Sequence, residues 1–477
     1  MKDNTPRAPL RKGDLIPASR IQADRATMAC YDFGASYAVA GVLIDGNHAG
    51  DGEGYDSRIE YSLNGKDWTA LTGEGSGGEQ ARYVRMTGEA ASFADERIAF
   101  VCDTGFAVEP ADEWTNLFHR HSGWAGSDGI YSIPFNGVET QGTAGDTKTL
   151  LVFGDTFVGE VDEQTRERSE STVMLNNTLA VLDGAEPRRD AVRFVWREDG
   201  NGEPLSAIVP TTPKALSRRD TYYWLQDGTS CSGTFHCFPL IIGHDPNGPE
   251  GFEFAVHGVT HVSAPLTADG PDLARQRQED TPLYFKSSKG HTTYFGAAIM
   301  PNTNEAGAPN PDGYVYVYGL QHDGVHRPVV ARAPEAELAN IGQWTYWNGS
   351  GWTSRKEECA PIAPEVSCEY SVSPMRGGAL DGKYVVACQL GGTSGNHLAL
   401  YDGSSPVGPF ERCTRLYYCP ESEEGLGIYT YNAKGHPHLS PTGELLVTYN
   451  VNTTSMEANM ARGDIYRPRF VRVRQIP

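Results

Sequence analysis

LLVFGD at residues 150–155, FHCFPLII at 235–242, GYVYVYGL at 313–320, KYVVACQL at 383–390 and ELLVTYNV at 444–451 are apolar runs rich in β-branched and aromatic residues, and each is bounded by turn residues. Their starts lie 85, 78, 70 and 61 residues apart. Each interval has room for an antiparallel sheet and its loops, and sheets repeated in this way along a chain predict radial packing around an axis. The units share little sequence, so the repeat is architectural. A two-sheet sandwich of similar size is the alternative arrangement. The fold expected is all-β: a five-bladed β-propeller over residues 109–477, with these runs as its inner strands.

Further strands are expected in YYWLQDG, HGVTHVSAPL, TTYFGAAIM, PVVARAP, WTYWNGSGWT, HLALYDGSSPVGPF and FVRVRQ, while only APEAELANIGQW suggests a helical turn. The 54 Gly and 30 Pro are spread along the chain, as a turn-rich all-β fold requires. Ahead of the propeller, residues 1–17 read as an extension and 18–108 as a small β-sandwich. Its strands are ASYAVAGVLI, DSRIEYSLNGKDWTAL, ARYVRMTG and RIAFVCD, and Asn64-Gly65 is a strong hairpin turn pair.

With 40 basic and 61 acidic residues the net charge is −21, which would repel a phosphate backbone, so nucleic acid is not an expected partner. No apolar run is long enough to span a membrane, and no apolar segment follows the basic residues of MKDNTPRAPLRKGDL, so neither a membrane partner nor a signal peptide is expected. Nine cysteines cannot all pair within one chain. Several stand in apolar strands, which favours a reducing, cytoplasmic setting. The close pairs Cys231 and Cys237, Cys359 and Cys368, and Cys413 and Cys419 fit the alternative, secretion with a signal peptide absent from this sequence. None has zinc-ligand spacing.

Propeller pockets gather polar residues from the inner strands of different blades. Asp128 in GSDGIYSIP and Asp155 in LLVFGDTFVGE each stand where an apolar strand meets a glycine turn, so they read either as turn caps or as pocket acids. Glu369 in SCEYSVSPM is a lone carboxyl in a neutral strand, and burial would raise its proton affinity, as a general acid needs. Trp224 and Asp227 in YYWLQDG suit a sugar ring stacked on an aromatic face, whereas Asp312 reads as a turn residue. Asn432, Lys434 and His436 in YNAKGHPHLSP, with Asn450 and Asn452 beyond, interleave with Tyr429, Tyr431 and Tyr449 as a polyol-binding surface does.

GSDGIYSIP with FGDTFVGE, NNTLAV, PDGYVYVYG, WTYWNGSGWT, EYSV and YNAKGHPHLS with YNVN together resemble bacterial five-bladed propeller families long catalogued as domains of unknown function. That group includes endo-D-arabinanases and is more distantly similar to arabinanase and fructosidase propellers. The resemblance spans residues 115–475 and implies that the pocket carboxyls Asp128, Asp155 and Glu369 are catalytic. IEYSLNGKDWTAL with ARYVRM resembles the second half of a discoidin-type or carbohydrate-binding sandwich.

The nucleotide, zinc-peptidase and serine-hydrolase motifs are absent from the sequence, and no Asp-box repeat accompanies its arginines. The function expected is a glycoside hydrolase acting on a furanose-containing glycan, an arabinofuranoside or arabinan. Glu369 is the expected acid, Asp128 the base or nucleophile and Asp155 its modulator, with Trp224, Asp227, Asn432, His436 and Asn450 binding sugar. The alternatives are a non-catalytic glycan-binding propeller and a polysaccharide lyase using His436 with Lys434. No cofactor is expected to be required, although a structural Ca2+ in the channel is compatible with such a fold.

Overall fold

Strands covered on both faces by neighbouring sheets read as unbroken apolar runs, and this decides where the runs of the sequence fall. In the computed structural model, which describes residues 10–24, 28–44, 47–48, 57–71, 79–88, 98–248, 253–392, 395–425 and 427–477, they occupy second or later positions in their sheets. Lys148–Glu160 lies beside Ser122–Pro134, Tyr384–Leu390 beside Tyr370–Pro374, and Glu444–Thr453 beside Ile428–His436. The innermost strands are thus one place earlier than expected. The physical reason is that they border the axis with GSDG, GTSC, YSVSP and YNAKGH, too polar to read as core.

The inner strands Ser122–Pro134, Gly228–Cys231, Thr292–Asn302, Tyr370–Pro374 and Ile428–His436 touch one another in turn, and the last returns to the first. Antiparallel sheets extend outward from each, so the chain is an all-β propeller. Separate apolar clusters fill the spaces between successive sheets. Val317, Phe295 and Trp344 pack with Val259 and Phe238 in one of them, and Tyr318, Tyr370 and Phe410 pack together in the next. The expected helical turn of APEAELANIGQW is present as the short 3-10 turns Glu335–Glu337 and Ile341–Gln343.

Ring closure uses both ends of the chain. The last strand, Arg467–Ile476, pairs with Glu444–Thr453 on one edge and with Ile98–Pro110 on the other, in register from Val471 opposite Pro110 to Ile476 opposite Gly105. On its other edge Ile98–Pro110 pairs with the long strand Met28–Ile44, from Ile98 opposite Ile44 to Val108 opposite Ser36. The N-terminal strands therefore continue the last propeller sheet as a β-sandwich-like sheet, built on Tyr31, Phe33, Tyr37 and Phe100. The boundary read at residue 108 falls inside this shared strand, and Val108 is buried in the propeller cluster with Val385, Val447 and Val473. Residues 1–9 of the expected extension lie outside the described residues. All nine cysteines are free thiols.

A chain beginning at residue 98 keeps the shared strand, and one beginning at residue 111 loses it. Both leave a sheet edge open, but the shorter chain opens that of Arg467–Ile476 and removes Val108 from its core, a loss of at least about 2 kcal/mol. It is expected to melt several degrees below the longer one or to aggregate. Equal melting temperatures for the two truncations would show that the strand does not hold the ring closed.

Candidate active site

Two irregularities in the pairing of Ser122–Pro134 with Lys148–Glu160 build the site. Ser127 lies opposite Thr156 and Gly129 opposite Phe153, so Asp128 faces two residues, Gly154 and Asp155. This is a β-bulge, which re-aims side chains out of the regular alternation. A second irregularity follows at once, and Ile130 is held at a φ of 101°, a left-handed backbone that a β-branched residue adopts only under constraint. Gly154 is required for the approach. A Cβ there would stand 2.3 Å from Asp128 Oδ1.

Asp128 and Asp155 therefore share one enclosed space. The Asp128 carboxyl is pushed well above the usual carboxylate range, first by burial, then by the charges of Asp155 and Glu369. Two hydroxyls oppose that push by donating to Asp128 Oδ2, Tyr431 at 3.1 Å and Tyr466 at 3.2 Å. Burial raises Asp155 to about 7, against donation from Trp224 Nε1 at 3.1 Å and Asn176 Nδ2 at 3.4 Å. Two carboxyls placed so cannot both ionise easily, and each raises the cost of the other's charge.

Glu369 has a different environment. It precedes the inner strand Tyr370–Pro374, and its Oε2 accepts a hydrogen bond from Lys434 Nζ on the neighbouring inner strand. Lys434 is almost wholly buried, and its ammonium lies 4.3 Å from the centroid of the Tyr131 ring. Asp227 stands near this ion pair, raised to about 7 by burial. Its two oxygens accept from the backbone N–H groups of Gly228 at 2.8 Å and Ile299 at 2.7 Å, tying the second inner strand to the third.

The structure thus brings Asp128, Asp155 and Glu369 together, with Asp227 beside them, and places Trp224 against Asp155. Two expected sugar ligands are corrected. His436 is 1% exposed, with Nδ1 against Ser132 Oγ at 2.8 Å and Nε2 against Thr448 Oγ1 at 2.9 Å, so it is enclosed structure between strands. Asn450 is likewise 1% exposed and donates to Ser127 O at 3.2 Å, bracing the residue before Asp128. Asn432 is buried at a φ of 59° and accepts from Cys368 Sγ at 3.4 Å. The sequence reading did not single out Tyr466, Asn176 or Tyr131, although Asn176 opens NNTLAV and Tyr131 lies in GSDGIYSIP; no quoted motif contains Tyr466. Among the described residues no group of three or more His, Cys, Asp or Glu gathers to hold a metal.

Residues 111–476 match the family described as Domain of unknown function (DUF5005), and the chain belongs to that family. Among solved structures, a provisionally assigned hydrolase from Bacteroides ovatus ATCC 8483 is similar to it with a TM-score of 0.58 at 20% identity, over 77% of this chain and 90% of that one. This is a likeness of fold. A GH43_1 enzyme from Xanthomonas citri matches over 76% of this chain and 93% of its own, at 13% identity and a TM-score of 0.35. An alpha-L-arabinofuranosidase from Podospora anserina in complex with cellotriose matches over 74% and 92%, at 9% identity and a TM-score of 0.35. At those scores the last two bear on neither substrate nor mechanism. No curated protein matches the chain.

The raised carboxyls carry a signed consequence for stability. A carboxyl held at about 7 in the fold, and near 4 when unfolded, favours folding most below its unfolded value, and that advantage is lost as pH rises through 7. Histidines buried in neutral form, such as His261 and His436, each drawn down to about 3, act oppositely and favour unfolding as pH falls below about 6.5. Asp155→Asn is expected to melt higher than the native protein at pH 8 and about equally at pH 4, as read by calorimetry across that range. A variant that loses stability at pH 8 would contradict the burial described here.

Proposed function

We propose that this protein is a glycoside hydrolase acting on a furanose-containing glycan, an arabinofuranoside or arabinan, and that Asp128 and Asp155 together carry the acid and base steps. The observation behind this reading is the pair itself, two carboxyls on adjacent bulged strands whose proton affinities are both raised by burial. Asp128, enclosed and repelled by two neighbouring charges, is the proton donor to the leaving oxygen. As the glycosidic C–O bond breaks, water attacks the anomeric carbon and gives its proton to ionised Asp155.

Glu369, given the acid's role by its sequence setting, takes another one in this proposal. Its carboxylate is paired with the Lys434 ammonium, and the two line the pocket as a partner for sugar hydroxyls. Four carboxyls against that one ammonium repel a uronate, so the substrate is a neutral sugar and the lyase reading is set aside. The enclosure of His436 removes the lyase's base as well. A non-catalytic glycan binder has no need of a proton-holding carboxyl pair, whose burial is unfavourable. The resemblance of FGDTFVGE and its companion motifs to the arabinanase-containing group supports the furanose substrate. We also read the closed ring of inner strands as five blades.

Arabinan, fructan and pectin offered to the purified protein, with products separated by chromatography, test the substrate class. On the cleaved glycan, Asp128→Asn is expected to lose about 100- to 10,000-fold in kcat/KM, yet to keep much more activity on an aryl furanoside with a good leaving group. Asp155→Asn should lose both substrates together, and Glu369→Gln should weaken both mainly through KM. If Glu369→Gln instead abolishes the natural reaction and spares the aryl one, Glu369 is the acid and this assignment fails.

A further inference from the structure

Arg168 is a buried guanidinium that forms no salt bridge among the described residues. Burial draws it down to about 10, an unfavourable setting for a cation held by main-chain oxygens alone. Its side chain donates to the carbonyls of Asn459, Arg462 at 3.2 Å, Ala125 at 3.1 Å and Ile465 at 2.8 Å. Ala125 lies three residues before Asp128 on the first inner strand, and Ile465 lies directly before Tyr466 on the crossover between Glu444–Thr453 and Arg467–Ile476. One side chain thus fastens together the two segments that carry Asp128 and Tyr466.

Tyr466 needs fastening. Its backbone sits at a φ of 62°, in the left-handed region, and its carbonyl stands where a Cβ on Gly126 would come within 2.5 Å. Phe157 fills the corner, with its ring 4.4 Å from the Arg168 guanidinium and 5.1 Å edge-on from the Tyr466 ring. The main chain adds to the clamp, since Arg168 N donates to Met460 O at 2.8 Å and Gly463 N to Arg166 O at 2.7 Å. Asn459, whose carbonyl Arg168 grips, donates through Nδ2 to Asn452 Oδ1 at 3.0 Å. Asn452 in turn donates to the hydroxyls of Tyr429 at 2.9 Å and Tyr431 at 3.4 Å. Tyr431 reaches Asp128 Oδ2 from its own inner strand, Ile428–His436, so of the two hydroxyls there Tyr466's is the one set directly by what Arg168 fixes.

We infer that Arg168 is a positioning residue, which sets the proton affinity of Asp128 by holding the Tyr466 hydroxyl on its carboxyl. The inference rests on the reading of Asp128 as the proton donor. The groups that face Asp128 are Asp155, Glu369, Tyr222, Tyr429, Tyr431 and Tyr466, and Arg168 touches none of its atoms. A hydroxyl that donates to the ionised form lowers proton affinity, so its release raises it.

The test is an infrared titration of the protonated carboxyl of Asp128, with the band assigned by its disappearance in Asp128→Asn, on full-length protein without substrate. Tyr466→Phe is expected to raise the midpoint by about one unit, about tenfold in proton affinity. Arg168→Gln should raise it similarly, and Arg168→Gln with Tyr466→Phe should go no further than Tyr466→Phe alone. If Arg168→Gln does not fold, Arg168→Lys, which keeps the charge but loses the fork, is read in its place with the same expectation. An unchanged midpoint in the Arg168 variant that folds, or shifts that add in the double variant, overturns the inference, because a residue that only supports the fold lowers melting temperature without moving this titration. A protein that cleaves no glycan but shows the shared shift loses the hydrolase reading and keeps this one.

Discussion

Everything in the propeller depends on the backbone pairing of Arg467–Ile476 with Ile98–Pro110. A ring of sheets whose first and last members did not meet would leave a strand edge unpaired and its inner strands free to splay. Here the last strand is seated between Glu444–Thr453 and a strand that belongs equally to the N-terminal sheet. Closure brings Ile428–His436 back against Ser122–Pro134, and with it Tyr431 to Asp128 across more than 300 residues of sequence, Asp128 being 303 positions earlier. The pocket follows from the closure rather than the reverse.

The second constraint is electrostatic. Asp128 and Asp155 are enclosed together, and Asp227 is enclosed near the Lys434 ammonium, which already faces Glu369. Hydroxyl, indole and amide donors offset part of the burial at Asp128 and Asp155, and backbone N–H groups do so at Asp227. Such donors stabilise charge without supplying a full opposing one, so the carboxyls stay within reach of protonation near neutrality. A guanidinium in place of Trp224 would fix Asp155 as a permanent anion.

Much of this was legible in the sequence, for reasons that also account for the rest. Asp128 and Asp155 stand out because an acid set directly against an apolar strand and a glycine either caps a turn or faces a pocket. The apolar runs revealed the sheets but misplaced the axis, since strands covered on both faces read more strongly than strands that border polar space. The enclosure of His436 left no trace in the sequence because alternate residues of an inner strand face different neighbours, and which ones do so depends on a register shifted by an irregularity between Tyr431 and Lys434, while Asn450 lies one strand further out, on Glu444–Thr453. Tyr466, in GDIYRPRF, carries no pattern of its own. Its role comes from a left-handed turn and from an arginine 298 positions earlier, Arg168, and neither leaves a local trace.

The shared strand also orders events during synthesis. Arg467–Ile476 leaves the ribosome long after its partner Ile98–Pro110. Until Arg467–Ile476 emerges, the nascent chain carries unclosed sheets, with an edge of Ile98–Pro110 still unpaired. A ribosome stalled before Arg467 therefore holds a product whose ring is open, with a strand edge available to another nascent chain on the same message.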